Sequence, residues 1–155
     1  MSPRPPRVGS VAPEFTATDQ HGQTITRTSL HGSKAVLVFY PFAFSGVCTS
    51  ELGTIRDSLD ELRAEDAVVL AISCDPMYAL RVFADTEKLA FPLLSDFWPH
   101  GQIADDYGVF DSQRGCALRG TFVLDADGVI RWSVVNNLPD ARSIEDYQRA
   151  LAELR

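Results

Sequence analysis

The sequence predicts an α/β sandwich in which a central mixed β-sheet is flanked by helices and preceded by an N-terminal β-hairpin. Three observations carry this reading. Two continuous apolar runs of strand length, "AVLVFY" at 35–40 and "AVVLAIS" at 67–73, enclose a helical stripe. Strand, helix, strand of that length is a right-handed crossover joining parallel strands. An alternating segment, "EFTATDQHGQTITR", folds back about the turn-forming cluster at 19–22, the pattern of a hairpin. A second hairpin signal, Asp127-Gly128, separates "GTFVLD" from "VIRWSVV". With 155 residues, 45% of them hydrophobic, the chain fills one core and is short for two. Residues 1–155 are therefore read as one domain, with the Pro- and Arg-rich residues 1–7 as a flexible arm.

Each element follows from its own pattern. The run at 35–40 lacks alternation, as expected for a central strand covered on both faces. From Ser45 onward, Leu52, Ile55, Leu59 and Leu62 recur at three- and four-residue intervals, the stripe of one amphipathic helix ending near "AED". "MYALRVFADTEKLA" reads as a helix, "FPLLSDFWPHG" as an aromatic-rich loop, and "QIADDYGVF" as containing a short helix. The second half is read as antiparallel. From Ser143, "SIEDYQRALAEL" reads as a last amphipathic helix with Ser143 at its N-cap. The order β-hairpin, βαβ, helix, ββα points to a thioredoxin-like sandwich.

Composition excludes several functions. The net charge is −7 and no stretch gathers Lys and Arg, so the electrostatic footprint of a nucleic-acid binder is missing. No stretch approaches the ~20 apolar residues of a membrane span, and no apolar segment follows the basic start "MSPRPPRVGS". A cytoplasmic protein with no nucleic-acid or membrane partner is the expectation. His21, His31 and His100 are scattered, none at ligand spacing from a cysteine, so neither a metal nor another cofactor is expected.

The chemistry gathers at Cys48. "PFAFSGVCTSEL" leads from the end of the first central strand into the helix, and ligands of open α/β sheets bind at the carboxyl ends of strands. With Ser45 as N-cap, Cys48 falls at the third helical position, where free backbone N–H groups and the helix dipole favour an anion. A thiol there is expected to ionise more readily than an ordinary cysteine. Pro41 fixes φ, offers no N–H and shapes the wall above the sulfur. Phe42, Ala43, Phe44 and Val47 keep bulk water from that wall. The resulting site suits a nucleophilic sulfur attacking a small polar electrophile.

Pro41, Ser45 and Cys48 match the pattern P-x-x-x-T/S-x-x-C, and the chain resembles the peroxiredoxins. "GSVAPEFTATDQHG" is similar to the family's opening, and "LRGTFVLD" carries an arginine, Arg119, just before a late T-F strand. "FPLLSDFWPHG" and "YGVF" look like the AhpE-type one-cysteine branch. The resemblance runs from about Val8 to the C-terminal helix. It implies a thioredoxin-fold peroxidase in which Cys48 attacks a peroxide oxygen and becomes a sulfenic acid. Hydrogen peroxide, organic hydroperoxides or peroxynitrite would be substrates. Arg119 would stabilise the thiolate and the departing oxygen, Ser45 would hold the peroxide in line, and Pro41 would shield the site. Glu51, one turn beyond Cys48, would orient Arg119 through a bidentate ion pair, or else be a solvated charge. Homodimers are common in the family, and Phe97 and Trp98 are candidates for such an interface.

Position 53, where one subgroup places its second cysteine, is Gly53, and no cysteine follows position 116. Cys74, after an apolar run, is expected to be packed. Cys116, in polar "DSQRGCALRG", is expected to be exposed, and both stay as candidate resolving cysteines. The expected reductant is external: a low-molecular-weight thiol, a glutaredoxin-like protein or thioredoxin. Two rival readings exist. "SGVC" is also a C-x-x-C with serine for the first cysteine, the mark of a degenerate thiol-disulfide oxidoreductase, although Gly120 stands where such proteins carry proline. The other is a thioredoxin-fold interaction or holdase protein.

Overall fold

The computed structural model describes residues 4–136 and 142–154. An antiparallel hairpin, β1 (Thr16–Thr18) and β2 (Thr24–Thr26), opens the chain. The two apolar runs form β3 (Lys34–Phe39) and β4 (Ala67–Ser73), parallel in register from Lys34–Ala67 to Phe39–Ile72. Between them lie α1 (Gly46–Asp57) and α2 (Leu59–Ala64). The single helix expected there is thus divided at Ser58, whose backbone turns to φ −104° and ψ 7°. The apolar face survives the break, with Leu52, Ile55, Leu59 and Leu62 all buried.

Helix α3 (Met77–Glu87) leads to β5 (Leu93–Ser95), which pairs parallel to β4. The reading of 91–101 as a loop is corrected here, and the reading of the second half as antiparallel is corrected at β5, while the later strands do pair antiparallel. Three residues are too few to show a period, and Gln20 replaces part of a strand partner: its side chain donates to Phe91 O at 3.1 Å and accepts from Leu93 N at 2.8 Å. Helix α4 (Gln102–Asp106) follows, then a small hairpin the sequence did not disclose, β6 (Phe110–Asp111) and β7 (Cys116–Ala117). Strands β8 (Arg119–Leu124) and β9 (Ile130–Asn136) form the predicted second hairpin, and α5 (Ile144–Ala152) closes the described chain. The main sheet has the order β2-β1-β5-β4-β3-β8-β9.

The sheet separates two cores because successive strand residues face opposite ways. Val36, Val38, Val69 and Ala71 pack under α1, α2, α3 and α5, whereas Leu37, Phe39, Leu70 and Ile72 meet Phe15, Ile103 and Tyr107 on the other side. Strand β3 is therefore apolar on both faces, as its unbroken run required. Of the expected flexible arm, residues from Arg4 onward are described, and the Arg4–Pro5 backbone lies against Gly108, where a Cβ would come within 2.4 Å. Residues 1–3 lie outside the described set. Among the described residues, no helix is long and apolar enough to cross a membrane.

Candidate active site

The site forms at the carboxyl end of β3. Tyr40 extends the ladder with one bond, its N–H donating to Ile72 O at 3.0 Å, and buried Pro41 then ends the pairing. Ser45 takes the N-cap position of α1, its carbonyl accepting from Thr49 N at 2.9 Å. Its hydroxyl does not cap the helix. It donates instead to Phe42 O at 3.0 Å and closes the loop on itself. Cys48 then lies in the first turn of α1, with no exposed surface, while Phe42 and Phe44 stand exposed at the rim.

Strand β8 delivers the cation. It pairs antiparallel with β3 as far as Val38–Thr121, so Arg119, two residues earlier on β8, stands level with the end of β3 where the loop to α1 begins. Gly120 lets the strand approach its neighbours, since a Cβ there would meet Val109 Cγ1 at 2.9 Å. Arg119 Nη1 donates to Cys48 Sγ at 3.3 Å and to Glu51 Oε1 at 2.6 Å. Both side chains of the ion pair are nearly inaccessible, at 4% and 5% exposure.

Glu51 is a buried carboxylate, not a solvated helix charge. Its bidentate partner, however, is Arg142 rather than the expected Arg119. Arg142 Nε donates to Oε2 at 2.9 Å and Nη2 to Oε1 at 3.0 Å, with the Arg142 backbone N–H adding a bond to Oε2 at 2.6 Å. Burial works to push the Glu51 carboxyl up, but the hydrogen bonds and charge of Arg142, with the charge of Arg119, overcome it and hold the group below its ordinary value. Arg142 Nη1 also bonds Phe39 O at 2.6 Å, Gly120 O at 2.9 Å and Thr121 Oγ1 at 3.2 Å. It ties the ends of β3 and β8 to α1. The sequence reading missed Arg142. One signal was present: a cation just before the N-cap of α5 opposes the helix dipole and calls for a buried counter-charge.

Among these four groups two cations face one carboxylate and one sulfur. The cluster sums to zero charge when Cys48 is the thiolate, its nucleophilic form.

All three cysteines are free. Cys116 is fully buried, against the expected exposure. Its place in the β6–β7 ladder, opposite Asp111, turns it inward from an otherwise polar segment. Burial, with the negative charge of Asp111, pushes its thiol up to about 11. Burial and the charge of Asp96 push Cys74 up to about 12. Both are thus poor nucleophiles at neutral pH as they stand. Phe97 and Trp98 are exposed, Trp98 to 84%. Among the described residues, no group of three His, Cys, Asp or Glu side chains has the arrangement to hold a metal.

A buried thiol in the first turn of a helix, bonded by an arginine that is itself paired with a buried carboxylate, on this mixed sheet flanked by helices defines a thioredoxin-fold thiol protein. The chain belongs to the AhpC/TSA family, which matches residues 8–133, and it is a peroxiredoxin. Alkyl hydroperoxide reductase E of Mycobacterium tuberculosis is 45% identical over 148 residues, covering 95% of this chain and 97% of the relative. Among solved structures, peroxidoxin BcpB of Mycobacterium tuberculosis superposes with a TM-score of 0.87 at 28% identity, covering 96% and 98% of the two chains. AhpC of Enterococcus faecalis gives 0.86 at 27%, covering 94% of this chain and 90% of its own.

Proposed function

We propose that this enzyme, a thiol-dependent peroxidase, uses Cys48 as its peroxidatic residue in a one-cysteine cycle. The observation that carries the assignment is the 3.3 Å bond from Arg119 Nη1 to Cys48 Sγ in the first turn of α1. The Cys48 thiolate attacks the terminal oxygen of a hydroperoxide ROOH. The S–O bond forms as the O–O bond breaks, sulfur is oxidised to the sulfenic acid, and the departing RO⁻ takes up a proton as ROH. Arg119 bears the charge that develops on the leaving oxygen. Hydrogen peroxide, organic hydroperoxides or peroxynitrite serve as substrate, Pro41 shields the site, and Ser45 holds the peroxide in line.

Reduction is assigned to an external thiol. One thiol condenses with the sulfenic acid, forming a mixed disulfide and releasing water; a second thiol attacks that disulfide and frees Cys48. The burial of Cys74 and Cys116 and their raised ionisation favour this over an internal disulfide. A low-molecular-weight thiol, a glutaredoxin-like protein or thioredoxin supplies the electrons. The working unit is a single domain spanning 1–155, acting in the cytoplasm as a homodimer.

The test is intact-mass spectrometry after one equivalent of hydrogen peroxide with a sulfenic-acid trap, then peptide mapping. A trapped adduct on Cys48 with no internal disulfide supports the assignment. A disulfide from Cys48 to Cys74 or Cys116 replaces the external-thiol step, and an untouched Cys48 refutes the whole reading.

A further inference from the structure

The loop at 41–45 has to hold its shape without secondary structure, and it carries a conformational strain. Phe44 sits at φ +69°, a left-handed conformation that a residue with a bulky side chain adopts only when its surroundings over-determine it. One restraint is the packing of the Phe44 ring on Phe83, with centroids 5.0 Å apart. The other comes from the neighbouring strand. Asp75 Oδ2 accepts from the Ala43 backbone N–H at 2.9 Å, one residue before Phe44. The same oxygen accepts from Ser73 Oγ at 2.7 Å, and the Asp75 carbonyl accepts from Ser95 Oγ at 2.7 Å. Asp75 is therefore anchored to the carboxyl ends of β4 and β5 and reaches across to the loop that follows β3.

Beneath this clamp lies Tyr40, fully buried, its hydroxyl directed toward Ser73. Burial pushes its phenol far up; Ser73 opposes this, and the negative groups of Asp75 and Cys48 add to it. The clamp and the reactive sulfur thus border the same buried phenol.

From this geometry we infer that Asp75 is a positioning residue of the peroxidase: by holding the Ala43 N–H it fixes the loop that places Ser45 and, through the first turn of α1, Cys48. The inference rests on the assignment of Cys48 as the peroxidatic cysteine. A displacement of about 1 Å in a reacting group can cost roughly 100-fold in rate, so a loosened loop acts on peroxide attack before it acts on folding.

The experiment compares two second-order rate constants of Cys48, one with hydrogen peroxide and one with iodoacetamide. Alkylation needs the nucleophilic sulfur but not a peroxide held in line. In Asp75→Ala the ratio of peroxide to iodoacetamide rates is expected to fall by roughly tenfold to 100-fold, and Asp75→Asn, which keeps an acceptor oxygen, is expected to recover most of it. General damage to the site would lower both rates together and leave the ratio. A ratio within about twofold of wild type in Asp75→Ala, or an Asp75→Asn as impaired as the alanine variant, overturns the assignment. Should Asp75→Ala fail to fold, Ser73→Ala decides: it leaves the carboxylate unsteadied, a lowered ratio supports the clamp, and an unchanged ratio overturns it. A wild-type chain whose Cys48 is inert to peroxide overturns the peroxidatic reading and this inference together, whereas a reactive wild type with an unchanged ratio in the variants overturns Asp75 alone.

Discussion

Replacing Arg142 with alanine removes the side chain that joins three elements at the site. Five side-chain bonds go with it: two to Glu51, and one each to Phe39 O, Gly120 O and Thr121 Oγ1. The Arg142 side chain is 1% exposed and that of Glu51 5%, so water does not replace what is lost. Removing one partner of a buried ion pair costs about 3–5 kcal/mol, chiefly because the other charge stays buried. Glu51 keeps Arg119 at 2.6 Å, which places the expected loss nearer the lower end, about 3 kcal/mol. A domain stability of about 5–15 kcal/mol leaves the variant folded. In urea, with a slope of about 2 kcal/mol per molar, the unfolding midpoint moves down by about 1.5 M. Peroxide consumption falls as well, because Glu51, released on one side, no longer fixes Arg119 against the sulfur. The assay is equilibrium urea unfolding by circular dichroism beside stopped-flow peroxide kinetics. A midpoint shift below about 0.5 M would equal the worth of an exposed pair and would refute the buried-cluster reasoning.

Other expectations follow from the same geometry. Cys48→Ser abolishes peroxide consumption while the fold is retained, as measured by peroxide loss and circular dichroism. Arg119→Met slows peroxide attack without a matching loss in saturation behaviour, since the cation serves the developing charge; an equal effect on both would contradict this. Cys74 and Cys116, pushed up to about 12 and about 11, stay unlabelled by maleimide at neutral pH until the chain is unfolded, which mass spectrometry reads directly. The pH dependence of stability contains two opposed contributions. Glu51 lies below the ~4.3 of a free glutamate, so its contribution is complete above that pH and disappears as pH falls through the depressed folded value. Asp96 behaves in reverse: burial pushes it up to about 6, despite its bonds to the Ile103 and Ala104 N–H groups. Its protonated form is favoured in the fold, so stability declines by at most about 3 kcal/mol as pH rises from ~3.9 to about 6. Urea midpoints across this range, with Glu51→Gln flattening the acid limb, check both signs.

The elements legible in the sequence share a physical cause: their determinants are local. The unbroken runs of β3 and β4 state that both faces are covered, the turn clusters at 19–22 and Asp127-Gly128 state where the chain reverses, and the spacing from Ser45 to Leu62 states which helix face is buried. Pro41, Ser45 and Cys48 were legible because loop, N-cap position and first turn are fixed by adjacent residues, and Arg119 was found through the family pattern around its T-F strand. The tertiary structure decided what depends on distant partners. Arg142 closes on Glu51 across 91 residues, Asp75 reaches Ala43 across 32, and Gln20 supplements β5 across more than 70. Cys116 is buried by a two-residue ladder too short to carry a period. Such contacts leave no periodicity behind, because a single side chain satisfying a buried charge or N–H has no repeat to betray it; only the folded sheet, bringing the ends of β3, β4, β5 and β8 together, determines which polar groups must answer one another.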